Sequence, residues 1–119
     1  MEPTGDDSGA WRVAADLVGP GRTEKFRLRR GGRSVEGFIV NVDGSHHAYV
    51  NRCPHAGTPL DTWPNEFLSE DGTLLVCSTH GAVFEPATGL CVEGPCPGAR
   101  LERLPVVAED GLLVVRCPG

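Results

Sequence analysis

Hydrophobic and polar positions alternate with a period of two over several stretches of this chain. In EKFRLRR, Phe26 and Leu28 stand against Lys25, Arg27 and Arg29, which predicts a strand with one apolar face and one wet, basic face. Gly31 and Gly32 mark a turn into a second strand, SVEGFIVNV, and Asp43, Gly44 and Ser45 mark another into HHAYVN. Upstream, WRVAADLV alternates loosely and reads as a strand before the turn at Gly19, Pro20 and Gly21. Near the C-terminus, RLERLPVV and LLVVRC flank Ala108 to Gly111 as a last hairpin. Long amphipathic helices are hard to find. Short strands at close intervals with Gly-rich turns predict an all-β fold, an antiparallel sandwich or small barrel.

Between about residues 51 and 98 this pattern breaks down. Cysteine, histidine, proline and glycine concentrate there, and the apolar alternation becomes fragmentary. Such a segment lacks the residues for a core of its own, and a bound metal centre would supply the missing order. The whole chain of 119 residues reads as one domain, 1–119, with 51–98 a small inserted subdomain and 1–9 a disordered tail.

Composition narrows the function. Glycine (16) and proline (10) run at about twice their usual combined level, as expected for a loop-rich β protein. No apolar run is long enough to span a bilayer, and MEPTGDDSGA is acidic and polar, unlike an export signal. The expectation is a soluble, cytoplasmic protein with no membrane partner. A net charge of −5 argues against nucleic acid as a partner. Basic residues cluster early, at Arg22, Lys25, Arg27, Arg29, Arg30 and Arg33, whereas Asp61, Glu66, Glu70 and Asp71 form an acidic stretch. That asymmetry can steer a docking partner, and it equally fits solvated strand and loop faces. The five cysteines of a chain without an export signal favour metal binding or thiols over a disulfide framework.

The candidate chemistry lies in two pairs, Cys53 with His55 in CPHAG and Cys77 with His80 in CSTHG. Each offers one thiolate and one neutral imidazole. Zinc accepts such a set as a tetrahedral site, although zinc modules more usually pair cysteine with cysteine. The other reading is a two-metal cluster in which each loop sends its cysteine to one iron and its histidine to the other. His46 and His47 are adjacent on a predicted strand, point to opposite faces, and read as ordinary strand residues.

With these motifs the sequence resembles the Rieske 2Fe-2S family. Cys53-x-His55 and Cys77-x-x-His80 match its two ligand boxes, each followed by a glycine, Gly57 or Gly81, and the family's HG, F, TG, GP skeleton continues through Phe84, Thr88, Gly89, Gly94 and Pro95. The match is specific from about Val50 to Val107. It implies a Rieske-like sandwich or barrel with an inserted cluster-binding subdomain, a 2Fe-2S cofactor held by Cys53, His55, Cys77 and His80, and a covering third loop at Gly94, Pro95, Cys96 and Pro97. The spacer before Cys77 is long for compact members, which places a surface insertion around Trp63 to Gly72. Trp63 and Phe67 either pack beneath that loop or serve docking. Cys91 and Cys96 read as buried thiols rather than a disulfide, and Cys117 as a terminal residue without a role.

Departures from the family also inform. High-potential members carry a disulfide cysteine in each box and serine and tyrosine hydroxyls near the sulfides; this chain has Thr58, Thr79, Ala82 and Phe84 there. Fewer hydrogen bonds to the sulfurs leave the reduced state less stabilised, so a potential toward the bottom of the roughly −150 to +300 mV span is expected, falling further at alkaline pH as an imidazole ligand loses its proton. Gly57 and Gly81 are expected to leave room for backbone approach to the cluster. The chain shows no nucleotide fingerprint and no nucleophile with a base, so it is expected to carry out no catalysis alone. The resemblance implies a one-electron carrier, a Rieske-type ferredoxin between a flavin-dependent reductase and a terminal oxygenase. The alternatives are a permanently bound small Rieske subunit of a nitrite reductase or hydroxylase, and a zinc-binding interaction module.

Overall fold

Ten strands organise the described residues. In this computed structural model the described residues are 10–30, 33–42, 44–52, 68–69, 72–77, 81–94 and 98–116, the side chains of Arg30 and Arg33 excepted. The strands are β1 (Ala10–Ala14), β2 (Thr23–Arg30), β3 (Arg33–Val42), β4 (Ser45–Val50), β5 (Leu75–Val76), β6 (Val83–Phe84), β7 (Cys91–Glu93), β8 (Arg103–Leu104), β9 (Val106–Glu109) and β10 (Leu112–Arg116). They form three antiparallel sheets in the orders β1-β10-β9, β2-β3-β4-β8 and β5-β6-β7. The chain is all-β, as its alternation predicts. No described helix is long and apolar enough to cross a membrane.

The β2-β3-β4-β8 sheet is the middle layer, because β3 and β4 send apolar residues to both of its faces. One face sends Phe26, Leu28, Ile39, Ala48 and Leu104 into a core completed by Trp11, Leu113 and Val115 of the β1-β10-β9 sheet. Trp11 stacks on Phe26 with ring centroids 4.5 Å apart. Removing a fully buried phenylalanine of this kind costs about 3–5 kcal/mol. The opposite face sends Phe38, Val40 and Tyr49 into a second core shared with Leu75, Cys77, Ala82, Phe84 and Cys91. The small sheet therefore obtains its hydrophobic burial from the middle layer.

WRVAADLV is strand only through Ala14; Ala15–Leu17 is a 3-10 turn. The Ala15 N–H donates to Gly111 O at 3.0 Å, which bends the chain away, so that Val18 is buried while Leu17 is 59% exposed. Asn41, itself buried, ties this bend to the β3-β4 turn: its Nδ2 donates to Val18 O at 2.9 Å and its Oδ1 accepts from Gly44 N–H at 2.8 Å.

The two strand histidines lie on opposite faces, as period two requires. His46 Nε2 sits 2.9 Å from Val18 O on the first face. His47, paired with Val40, faces the other way. Its Nδ1 is buried without a hydrogen-bond partner among the described residues, and burial, then Arg103 and His46, push its pKa below the usual value.

Candidate metal centre

Cys77 stands one residue past β5, wholly buried, with Phe38, Tyr49 and Phe84 in the surrounding core. Its N–H donates to Ala82 O at 2.8 Å and its carbonyl accepts from Gly81 N–H at 2.9 Å. These two bonds close the neck of a tight hairpin between β5 and β6. Gly81 is exposed and has φ +72°, a left-handed conformation that favours glycine. No described atom lies within 4 Å of where its Cβ would stand, so among the described residues its backbone conformation, not crowding, accounts for the glycine.

The third loop starts against this hairpin. A Cβ on Gly94 would stand 2.7 Å from Ala82 Cα and 3.1 Å from Gly81 O, and Gly94 has φ +99°. The two backbones touch only because the side chain is missing. Past the loop, Gly98 N–H donates to Cys91 O at 3.2 Å and Cys91 N–H to Ala99 O at 2.8 Å, so this loop also has a closed neck. Cys91 is buried with Sγ 3.3 Å from Glu93 O, the geometry of a thiol donor.

Tyr49 and Arg103, register partners on β4 and β8, hold the β6-β7 turn from below. The Tyr49 hydroxyl donates to Pro86 O and the Arg103 guanidinium to Ala87 O. Burial raises the Tyr49 pKa, Glu85 adding to the shift and Arg103 opposing it, so the phenol stays a neutral donor. Sequence patterning carries no sign of this contact, since it depends on which strands pair.

Of the four ligand candidates the structure describes Cys77; Cys53, His55 and His80 lie outside the described residues, as do Gly57, Thr58, Trp63, Phe67, Thr79, Pro95, Cys96, Pro97 and Cys117. The proposed insertion is described only at its end, where Leu68 bridges to Leu75 and Ser69 N–H donates to Leu74 O at 2.8 Å. Among the described residues no three His, Cys, Asp or Glu side chains gather around a common point. What is described is the inner, cysteine end of the second box. The second box climbs from a buried thiol to an exposed glycine in four residues, and a second loop is braced on its shoulder.

Comparison with known proteins gives the same picture. A family model described as the Rieske [2Fe-2S] domain matches residues 13–115. The oxidoreductase NdmD of Pseudomonas putida is 35% identical over 77 residues, 59% of this chain and 12% of that protein. The ferredoxin of carbazole 1,9a-dioxygenase from Nocardioides aromaticivorans IC177 superposes with a TM-score of 0.73 at 24% identity, covering 93% of this chain and 100% of that one. A chain from the reduced complex between oxygenase and ferredoxin in carbazole 1,9a-dioxygenase superposes with a TM-score of 0.75 at 17% identity, covering 97% of this chain and 30% of that one. At these identities the solved structures establish the shared fold.

Proposed function

We propose a one-electron carrier role for this chain, which belongs to the Rieske [2Fe-2S] domain family and therefore binds a 2Fe-2S cluster. Cys53 and His55 of the first box and Cys77 and His80 of the second would hold it, and the bound cluster supplies a one-electron couple. The observation that carries this reading is the hairpin from buried Cys77 to exposed Gly81 with the Gly94 loop seated on its shoulder.

Each described residue has a part that does not depend on the metal. The Cys77–Ala82 neck fixes the thiol at the inner end of the hairpin. Gly94 lets its own backbone lie against Gly81 and Ala82, and the third loop that follows it would cover the cluster. Tyr49 and Arg103 anchor the β6-β7 turn to the middle sheet.

The electron donor in this reading is a flavin-dependent reductase and the acceptor a terminal oxygenase. Support comes from the full-length superposition on a ferredoxin of an oxygenase system. A second reading, a Rieske domain or subunit held permanently in a larger oxidoreductase, draws on the matches to 12% and 30% of longer chains. Stopped-flow mixing of the reduced protein with a Rieske-type terminal oxygenase separates them. A carrier runs as a monomer in gel filtration, and its reoxidation rate rises in proportion to oxygenase concentration. A protein that co-purifies only as a fixed complex and whose reoxidation is independent of added oxygenase is not a mobile carrier.

A further inference from the structure

The chain leaves β4 for the first ligand box through Asn51 and Arg52, the two residues before Cys53. Asn51 is buried, 6% exposed, and is tied twice to one residue of β3. Its N–H donates to Glu36 O at 2.9 Å, and its side-chain Nδ2 donates to Glu36 Oε1 at 2.7 Å. The second carboxylate oxygen, Glu36 Oε2, lies 3.5 Å from Arg27 Nη2 on β2. On the other side Val50 N–H donates to Glu102 O at 2.9 Å, and Arg52 N–H folds back to Val50 O at 2.8 Å. The exit from the sheet is therefore gripped from both neighbouring segments.

Register explains how Glu36 comes to be there. Gly37 pairs with Val50, so Glu36 stands opposite Asn51, one step beyond the last ladder pair, and period two puts its side chain on the face of Phe38, which carries the small sheet. Ending a strand needs only the backbone bond. A carboxylate gripping a buried amide adds directional control at the cost of desolvating both groups, a trade that makes sense where the chain direction matters.

We propose that Glu36 is a positioning residue for the metal centre: through Asn51 it fixes the direction in which the chain enters Cys53-Pro54-His55, and so sets how tightly and in what geometry the first box holds its metal. The proposal rests on the reading that Cys53 and His55 are ligands.

Cluster loss into a chelator, followed by visible absorbance on the purified holoprotein, tests it together with the electron-spin-resonance line shape and the far-UV melting curve. Glu36→Ala and Asn51→Ala are expected to lose the cluster roughly tenfold faster or more, the scale of a lost charge-assisted hydrogen bond, with an altered line shape. Asn51→Asp sets two carboxylates face to face and is expected to be worse. The double variant Glu36→Gln with Asn51→Asp restores a donor–acceptor pair of reversed polarity and should return the loss rate to within about threefold of wild type; it also carries the test should the alanine variants fail to fold. A double variant as labile as Asn51→Asp alone, variants that keep wild-type retention, or faster loss that only tracks a lower melting point at unchanged line shape would each overturn the clamp while leaving the ligand reading intact. A wild-type protein without an iron–sulfur signal would overturn that reading, and the clamp with it.

Discussion

Replacing Gly94 with alanine is expected to destabilise the protein by about 2–6 kcal/mol and to release the metal centre. Two independent effects add. The residue has φ +99°, which a residue with a Cβ adopts at a cost of about 1–3 kcal/mol. The new Cβ would also stand 2.7 Å from Ala82 Cα, 3.1 Å from Gly81 O and 3.2 Å from Ala82 N. All three are backbone atoms of the Cys77–Ala82 hairpin, so they cannot step aside as a side-chain tip would, and overpacking of this kind costs about 1–3 kcal/mol more. Gly98 provides the control, since it has φ +89° but no described atom within 4 Å of its Cβ position. Gly98→Ala should therefore show only the conformational part in a denaturant titration and retain its colour. Equal losses of stability and of visible absorbance in the two variants would show that the contact between Gly94 and the hairpin is unimportant.

A midpoint potential below about +100 mV, in the lower part of the roughly −150 to +300 mV range of such centres, is the second large expectation. Ala82 and Phe84 are wholly buried and follow directly on the second ligand box, and neither carries a hydroxyl. Introducing a donor through Ala82→Ser or Phe84→Tyr should favour the reduced, more negative state. A hydrogen bond of about 1–1.5 kcal/mol corresponds to an upward shift of roughly 40–65 mV for one electron. Redox titration of the wild type and the two variants checks the sign and the size. A wild-type midpoint above about +100 mV, or variants with unchanged or lower midpoints, would mean that these positions do not set the potential.

How much of this was legible in the sequence depended on element length. β2 was readable because it has one apolar face and one wet face, Phe26 and Leu28 against Arg27 and Arg29, and β3 and β4, which send residues into both cores, because they are long, rich in strand-forming residues and bounded by turn signals. β5, β6 and β8 have two residues each and β7 has three, too few for any alternation to register. Their order comes from hairpin necks and from packing on Phe38 and Tyr49, which only the fold reveals. The bend at Ala15–Leu17 was missed because it is set by a bond to Gly111, far away in the chain.

The 2Fe-2S cofactor was legible through the resemblance of the two Cys/His boxes to the Rieske family, whereas residue type and spacing alone left zinc open. Its supports were not. Gly94 reads only as the start of the covering third loop until its contact with Ala82 is seen, and nothing in the sequence sets Glu36 apart from the other polar residues. Nothing in the letters joins Glu36 to Asn51; the β3-β4 register does.

The most direct test of the account is metal and sulfide analysis of anaerobically purified protein, combined with electron-spin resonance after reduction with dithionite. A 2Fe-2S centre of the Rieske family requires two iron and two inorganic sulfide per chain and the spectrum of a histidine-ligated cluster, lost on Cys77→Ser. Zinc in place of iron, or a spectrum of an all-cysteine cluster that persists in the Cys77→Ser protein, would contradict it.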